Sequence, residues 1–458
     1  MIITRLSVMM FLQFFIWGAW FVTAGNFFVA IGWSDHIATV YGLGPIAAMI
    51  SPLFLGCFAD RFFAAQKVLG VLHLIGGGLM FLLPGLALGG DNSASPFVWV
   101  FFAYVLLYMP TIALTNAVSF AHLTDQAKQF PLVRVFGTLG WIAAGILVSK
   151  ILHADTESMP FYICGGASVF LGVYSFFLPS TPPDREKRVS MSEALGLGAI
   201  GLLRNPSFLV FIVCSFLVCI PLMAYYIWAP VYVLESRHAE ASFWDAAYVM
   251  SYGQWIEVFF MLIMPLIFVK WGVKWMLAAG MFAWAVRYGL FAAGDGASPI
   301  AWMIWGGILL HGICYDFFFV TGYIYVDKVA PKAIRGQAQG FLILMTIGLG
   351  SYVGVEVSDA LVTKYTPAEA KVYQEQAGEL GNRIKVLREK EDEKKATAAD
   401  QAELKEALVR DKQLLAKYRK DWSAIWKWPA WGAGIILVLF VLMFRYRPGD
   451  EDKPELET

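Results

Sequence analysis

The sequence predicts an all-α integral membrane protein of twelve transmembrane helices in two six-helix bundles, with a polar helical hairpin between helices 11 and 12. Three observations carry that expectation. The 458-residue chain is 58% hydrophobic and only 15% charged, with a mean hydropathy of +0.60, beyond what a soluble core requires. Apolar runs long enough to cross the hydrocarbon as helix, roughly 20 residues each, recur about twelve times. A proline-rich, charged connector falls between the sixth and seventh of these runs.

In chain order the spans run near 5–32, 37–59, 67–90, 97–121, 132–152, 159–179, 205–234, 245–269, 272–293, 299–326, 334–362 and 427–445. The first is longer than a signal-peptide core and lacks a small-residue cleavage site, so it is expected to be retained. The connector from Pro179 to Pro206 divides an N-terminal bundle (1–180) and linker (181–204) from a C-terminal bundle (205–445) and a tail (446–458). One side collects the basic residues of the short loops, among them Arg61, Lys67, Lys128, Arg185, Lys270 and Arg335, whereas the other holds little beyond Lys150 and Arg237. Lysine and arginine bias therefore places both termini in the cytoplasm.

Segment 363–427 breaks the apolar pattern. It carries two cap signatures, Thr366-Pro367-Ala368-Glu369 and Asp400 with Glu403, and apolar residues at helical spacing: Leu380, Ile384 and Leu387, then Leu404, Leu408 and Leu415. An antiparallel helical hairpin is implied, periplasmic by helix parity. Loops longer than about 60 residues translocate whatever their charge, so its lysines do not oppose that orientation. It reads as a solvated spacer, or else as a lid or a docking surface for a periplasmic partner.

Composition also excludes. Net charge is zero and no basic patch gathers, which argues against nucleic acid. The five cysteines sit in apolar runs without ligand spacing, as small hydrophobes, and no cofactor or metal motif is present. His122 and Asp125 stand without a second catalytic cluster, and no nucleophile elbow appears, so an enzyme is not expected.

Function is therefore sought in polar groups at bilayer depth. A charge there costs at least about 2.5–3.5 kcal/mol and so faces a protein interior or wet cavity. SYGQWIEVFF (Ser251–Phe260) places Gln254 and Glu257 on one face of the eighth span. In FPLVRVFGTLGW, which starts a helix at Pro131, Arg134, Thr138 and Trp141 align at i, i+4 and i+7: a polar wall with an aromatic platform, suited to a hydroxylated, ring-bearing solute. HGICYDFFF holds Asp316 beside His311 and Tyr315. Burial disfavours the charged carboxylate and a nearby cation favours it, so a carboxyl held between those influences can take up and release a proton. Glu257 and Asp316 are the candidates for proton coupling; Arg287 is expected to neutralise one of them, and His73 to satisfy an interhelical hydrogen bond.

Gly56-Cys57-Phe58-Ala59-Asp60-Arg61 resembles the signature loop of the major facilitator superfamily, in which Gly56, Asp60 and Arg61 would gate between conformations. FLQFFIWGAW, YMPTIALTNAVSF, FPLVRVFGTLGW, QWIE, YDFF and IRGQAQGF, in that order, together resemble the bacterial nucleoside:proton symporter family of that superfamily, over nearly the whole chain except Thr363–Lys427. The resemblance implies a permease of the bacterial inner membrane that imports nucleosides with protons, Arg134, Thr138, Gln254, Glu257 and Asp316 matching the family's polar substrate residues and Trp141 and Tyr315 its aromatic ones. There are departures. Met223 and Tyr226 stand where an amide pair is expected, and His311 where a tyrosine is. A transporter of another polar solute, such as a sugar, is the alternative, and a transport-inactive sensor or scaffold a more distant one.

Overall fold

The computed structural model describes residues 2–54, 63–89, 94–124, 126–182, 197–236, 246–295, 301–331, 334–392 and 395–446. Helix is the expected outcome in lipid, since every backbone N–H and C=O at bilayer depth needs a partner within its own segment. The first half comprises α1 (Ile2–Ala30, pausing between Phe21 and Ala24), α2 (Ile37–Phe54), α3 (Ala65–Ala87), α4 (Ala94–His122), α5 (Gln126–Gly145, continued as a π-helix over Ile146–Ile151) and α6 (Met159–Ser175). The fifth span thus begins at Gln126, ahead of the Pro131 start that its sequence suggests.

The second half opens with α7 (Pro206–Ser236). Ala246–Gly294 follows as 49 residues of nearly unbroken helix, too long for one crossing, and Gly272 at φ 65° divides it into α8 (246–271) and α9 (273–294). A side chain in that left-handed region would be strained, so glycine makes the turn. Next come α10 (Ala301–Leu309, His311–Tyr315, a π turn at Asp316–Val320, Thr321–Val329) and α11 (Arg335–Ile343, a π segment at Leu344–Gly350, Ser351–Lys364). The hairpin is α12 (Ala370–Asp392) and α13 (Ala398–Tyr418), and α14 (Trp422–Met443) is the last crossing. Among the described residues nine helices are long and apolar enough to cross a membrane. With Ala246–Gly294 counted as two crossings, and the shorter α2 and α6 added, they are consistent with the twelve expected.

Within the first half α1 packs on α5 and α6, α3 on α4 and α6, and α2 on α4; within the second, α7 packs on α11 and α14, and α8–α9 on α10 and α14. Aromatic rings fill the second core: Trp426 stacks on Tyr288 (5.8 Å) and on Trp422 (5.9 Å).

The halves meet along three seams, α1 with α7, α2 with α11 and α5 with α8. At the third, the Ala247 N–H donates to Ser149 Oγ (3.1 Å) at the start of α8. At the first, the Phe21 and Tyr226 rings meet edge to face at 5.9 Å. Both contacts lie toward the hairpin side. At the linker side, His122 bonds to Thr181 (3.0 Å) within the first half, and Ser207 Oγ donates to the Arg445 carbonyl (2.5 Å) within the second.

The hairpin forms as expected, with two differences. Its cap is a box between Thr397 and Asp400 rather than one set by Asp400 and Glu403; Glu403 instead accepts both forks of Arg383 across the hairpin (2.6 and 2.8 Å). Thr366 caps nothing: its hydroxyl donates back to the Val362 carbonyl, and α12 starts only at Ala370. The buried seam of α13 is Leu404, Ala407 and Leu414, with Leu387 opposite on α12. At its base the hairpin is anchored to the second half. Lys420 Nζ donates to Glu235 Oε1 (2.6 Å) and Trp422 Nε1 to Glu235 Oε2 (2.8 Å), while Arg419 pairs with Asp295. Its first helix also touches Ala24–Ala30 of α1, in the other half.

Candidate substrate and proton site

Two stripes run side by side in the first half. Phe14, Trp17 and Phe21 recur at helical spacing on α1, and Arg134, Thr138 and Trp141 on α5. The Arg134 guanidinium lies 4.0 Å over the Phe14 ring, and Trp141 packs against Trp17 (5.6 Å) and Phe21 (5.7 Å). Thr138 is buried between them; Arg134 and Trp141 remain half-buried. Arg134 therefore does not simply reach back to the interface as a topological anchor, because its guanidinium is held on an aromatic face of α1.

The facing wall comes from α7, α8 and α10. Gly312 permits it: a methyl there would lie 2.7 Å from the Ile256 carbonyl oxygen and 2.8 Å from the Glu257 backbone, so only a bare backbone lets α10 seat this close to α8. The close approach brings His311 Nε2 to 3.5 Å from Glu257 Oε2. The imidazole stacks on Tyr225 (5.4 Å, 22°) and meets Tyr226 edge-on at 6.2 Å and Tyr315 at 5.9 Å. Gln254, on the same face as Glu257, is buried.

Asp316 is fully buried at the start of a π turn, a helix irregularity that often marks functional sites. Neither of its carboxylate oxygens has a hydrogen-bond partner among the described residues, and Glu257 lies within electrostatic reach. Arg287 departs from expectation. Instead of neutralising a carboxylate, it sets its guanidinium 4.0 Å over Tyr225 and donates Nε–H to the Gly307 carbonyl (2.9 Å), leaving Nη1 and Nη2 without hydrogen-bond partners among the described residues.

The walls are joined across the halves. Phe21 touches Tyr226, and Arg134 lies within electrostatic reach of Tyr315 and Tyr323 on α10. Arg134, Thr138 and Trp141 thus lie on the first half, and Tyr226, Gln254, Glu257, His311, Tyr315 and Asp316 on α7, α8 and α10 of the second. Met223 is buried, with its Cβ close to Gly354 of α11. The expected gating residues Gly56, Asp60 and Arg61 lie outside the described residues. Sequence reasoning missed Trp17, Phe21 and Tyr225, whose aromatic spacing resembles that of ordinary packing or lipid-facing residues.

Away from this site, His73 closes a polar chain inside the first half. Its Nε2 pairs with Gln13 Oε1 (2.9 Å), Gln13 Nε2 donates to Thr111 Oγ1 (2.7 Å), and Ser168 Oγ sits 2.9 Å from Nδ1. Each polar atom in the chain has a partner, which makes His73 a structural group. A groove of about 760 Å³ between α9 and α14, lined by Trp271, Trp275, Phe282 and Leu442, faces outward and is apolar. The polar convergence lies elsewhere, between the halves.

The nucleoside H+ symporter family model matches residues 1–376. YegT of Escherichia coli K12, a candidate nucleoside transporter, is 42% identical over 368 residues, 79% of this chain and 84% of that protein. The xanthosine permease of the same organism is 32% identical over 384 residues, covering 81% of this chain and 90% of that one. A crystal structure of the nucleoside transporter NupG superposes with a TM-score of 0.75 at 25% identity, over 97% of this chain and 100% of that one. With a family match across most of its length and transporters of that kind as its relatives, this chain belongs to the nucleoside–proton symporter family of membrane transporters.

Proposed function

We propose that the chain imports nucleosides with protons by alternating access, the solute held between the α1–α5 wall and the α7–α8–α10 wall. The observation that carries this reading is the facing pair of walls, which sets a cation, a hydroxyl and a tryptophan from one half against an amide, two carboxyls and aromatic hydroxyls from the other. A ribose needs donors and acceptors, and a base needs a flat ring to stack on; the two walls offer both. Arg134, Thr138, Trp141, Tyr226, Gln254, His311 and Tyr315 are the substrate-binding side chains in this reading, and Glu257 and Asp316 bind both substrate and proton. The seams toward the hairpin support a site open to the linker side, the side of release for an importer, and rocking of the halves would open the hairpin side for entry.

The basic-residue bias supports an inner-membrane protein with both termini and the linker cytoplasmic, and hence a periplasmic hairpin. Val372, Val386 and Val409, exposed among charged side chains, are where a periplasmic partner would dock on it. A second reading, transport of a different polar solute, is favoured by Tyr226, which puts a phenol on the wall where the family resemblance leads one to expect an amide.

Uptake of labelled uridine and adenosine into proteoliposomes, with and without an imposed pH gradient, tests the proposal. Gradient-driven accumulation is expected for the wild type. Glu257→Gln should lose accumulation while a weaker gradient-free exchange persists. Uptake indifferent to the gradient in the wild type would reject proton coupling, and a preference for sugars over both nucleosides would support the second reading.

A further inference from the structure

We infer that His311 and Glu257 act as one proton-binding unit, with the imidazole as the positioning and relay group for the carboxyl; this rests on the nucleoside–proton reading above. The geometry is a layered stack across four helices. Arg287 of α9 lies over the Tyr225 ring, Tyr225 stacks on His311, and His311 Nε2 faces Glu257 Oε2 at 3.5 Å. His311 and Glu257 are both buried, at 2% and 9% exposure, so a change of charge at one is felt by the other with little screening. His311 Nδ1 has no hydrogen-bond partner among the described residues. A structural histidine in a core would have both ring nitrogens engaged, as His73 has.

Four helices supply the groups that face the imidazole. Glu257 of α8 faces Nε2, and Arg287 of α9 lies beyond the Tyr225 ring. Tyr225 and Tyr226 of α7 and Tyr315 of α10 supply polarisable rings and hydroxyls, while Asp316, one residue beyond Tyr315, lies within electrostatic reach of Glu257. A proton taken up by the carboxyl therefore changes the charge that the imidazole faces. His311 also touches Tyr226, which reaches Phe21 of the other half, so loss or gain of that proton acts directly on the seam that separates the halves.

The test is the number of protons taken up when uridine binds to the purified full-length transporter, from calorimetry in two buffers of different ionisation enthalpy across the neutral pH range. Wild-type binding should be accompanied by proton uptake that changes with pH. His311→Gln keeps a hydrogen-bonding group but cannot titrate; it and Glu257→Gln should each flatten that dependence, and the double variant should be no flatter than either single one. Affinity falls in all three variants because both residues line the site, so the linked proton count and not affinity is the reading. If His311→Gln does not fold, His311→Asn is measured in its place, together with wild-type uptake as a function of pH. A His311 variant with the wild-type proton count at every pH overturns the inference, as does a wild type that binds uridine without proton uptake. A wild type that neither binds nor exchanges any nucleoside instead refutes the transport reading itself, and the inference falls with it.

Discussion

Lys420→Met should destabilise the protein out of proportion to the few contacts it removes. The ammonium and the Glu235 carboxylate are 3% and 5% exposed and 2.6 Å apart. At an effective dielectric of about 20, unit charges at that distance attract by roughly 6 kcal/mol. Removing both from water costs several kcal/mol per ion, so the intact pair contributes little net stability. Deleting one partner keeps the desolvation of the other and forfeits the attraction, a loss of about 3–5 kcal/mol. Glu235 would retain the Trp422 indole N–H (2.8 Å) and the more distant Lys420 amide (3.3 Å), too little to hold a buried charge. Glu235→Gln/Lys420→Met, which removes both charges and keeps an acceptor for Trp422, should recover most of the loss. Thermal unfolding of the detergent-purified protein, followed by helical circular dichroism, measures this: a midpoint lowered by several degrees in each single variant and largely restored in the double one. Single variants that melt with the wild type, or a double variant that loses the sum of both, would refute a desolvated pair at the hairpin base.

Three further outcomes follow from the same geometry. Trp141→Ala removes the platform on which a base would lie; stacking on an aromatic ring is worth about 1–3 kcal/mol, so uptake KM for uridine should rise about 5- to 150-fold with a smaller change in maximal rate. Gly312→Ala pushes a methyl into the α8 backbone, costs about 1–3 kcal/mol by overpacking and should impair transport more than expression, whereas Gly78→Ala, with no atom within 4 Å, should do neither. In the hairpin, bonds from Lys390 and Thr397 hold the Asp400 carboxyl well below the usual carboxylate range, and Arg383 lowers Glu403. Depressed carboxyls stabilise the folded form above their unfolded pKa of about 4 and lose that contribution as pH falls below it; amide exchange in 398–418 should therefore accelerate below pH about 4 while α1–α11 stay protected.

The crossings are legible in the sequence because length and apolarity alone decide whether a segment is stable in lipid, and the break between the spans 245–269 and 272–293 is legible near Lys270, whereas the turn at Gly272 shows only in the backbone. The π segments at Ile146–Ile151, Asp316–Val320 and Leu344–Gly350 are not legible. One extra residue in a helical turn changes which carbonyl is used and leaves hydropathy untouched. α14 starts at Trp422 and not near 427, since Lys427 interrupts the apolar run while Trp422 is buried through its bond to Glu235. In α13 the seam uses Leu414 and the small Ala407 in place of Leu415 and Leu408, a shift of one residue that depends on how closely α12 approaches. At the site, Arg134, Thr138 and Trp141 declared themselves by spacing and Glu257 and Asp316 by cost. The partner of Arg287 did not: an arginine and a nearby carboxylate in sequence say nothing about which way the guanidinium turns, and here it turns to an aromatic face.

Unpaired polar atoms of the second half gather at the site. In the first half the long-range polar groups Gln13, His73, Thr111 and Ser168 bond one another, while Trp17 Nε1, Trp20 Nε1 and the Asn26 amide are buried without partners among the described residues. In the second, Tyr225 OH, Arg287 Nη1 and Nη2, His311 Nδ1 and both Asp316 oxygens are buried without hydrogen-bond partners among the described residues. Each such group costs about 1–3 kcal/mol if left unmade, and together they would rival the whole stability of an ordinary domain. A cluster of that size persists only where something other than the fold satisfies it in part of the cycle. A solute rich in hydroxyls and amides, together with a proton, supplies what Arg287, His311 and Asp316 lack, and does so only while both walls enclose it. The free energy of binding is then delivered to α7, α9 and α10; α7 itself meets α1, and α10 packs on α8, which meets α5, so both routes end at seams between the halves. Coupling between solute and gate therefore runs through at most one further helix contact, the close approach of α10 to α8 at Gly312.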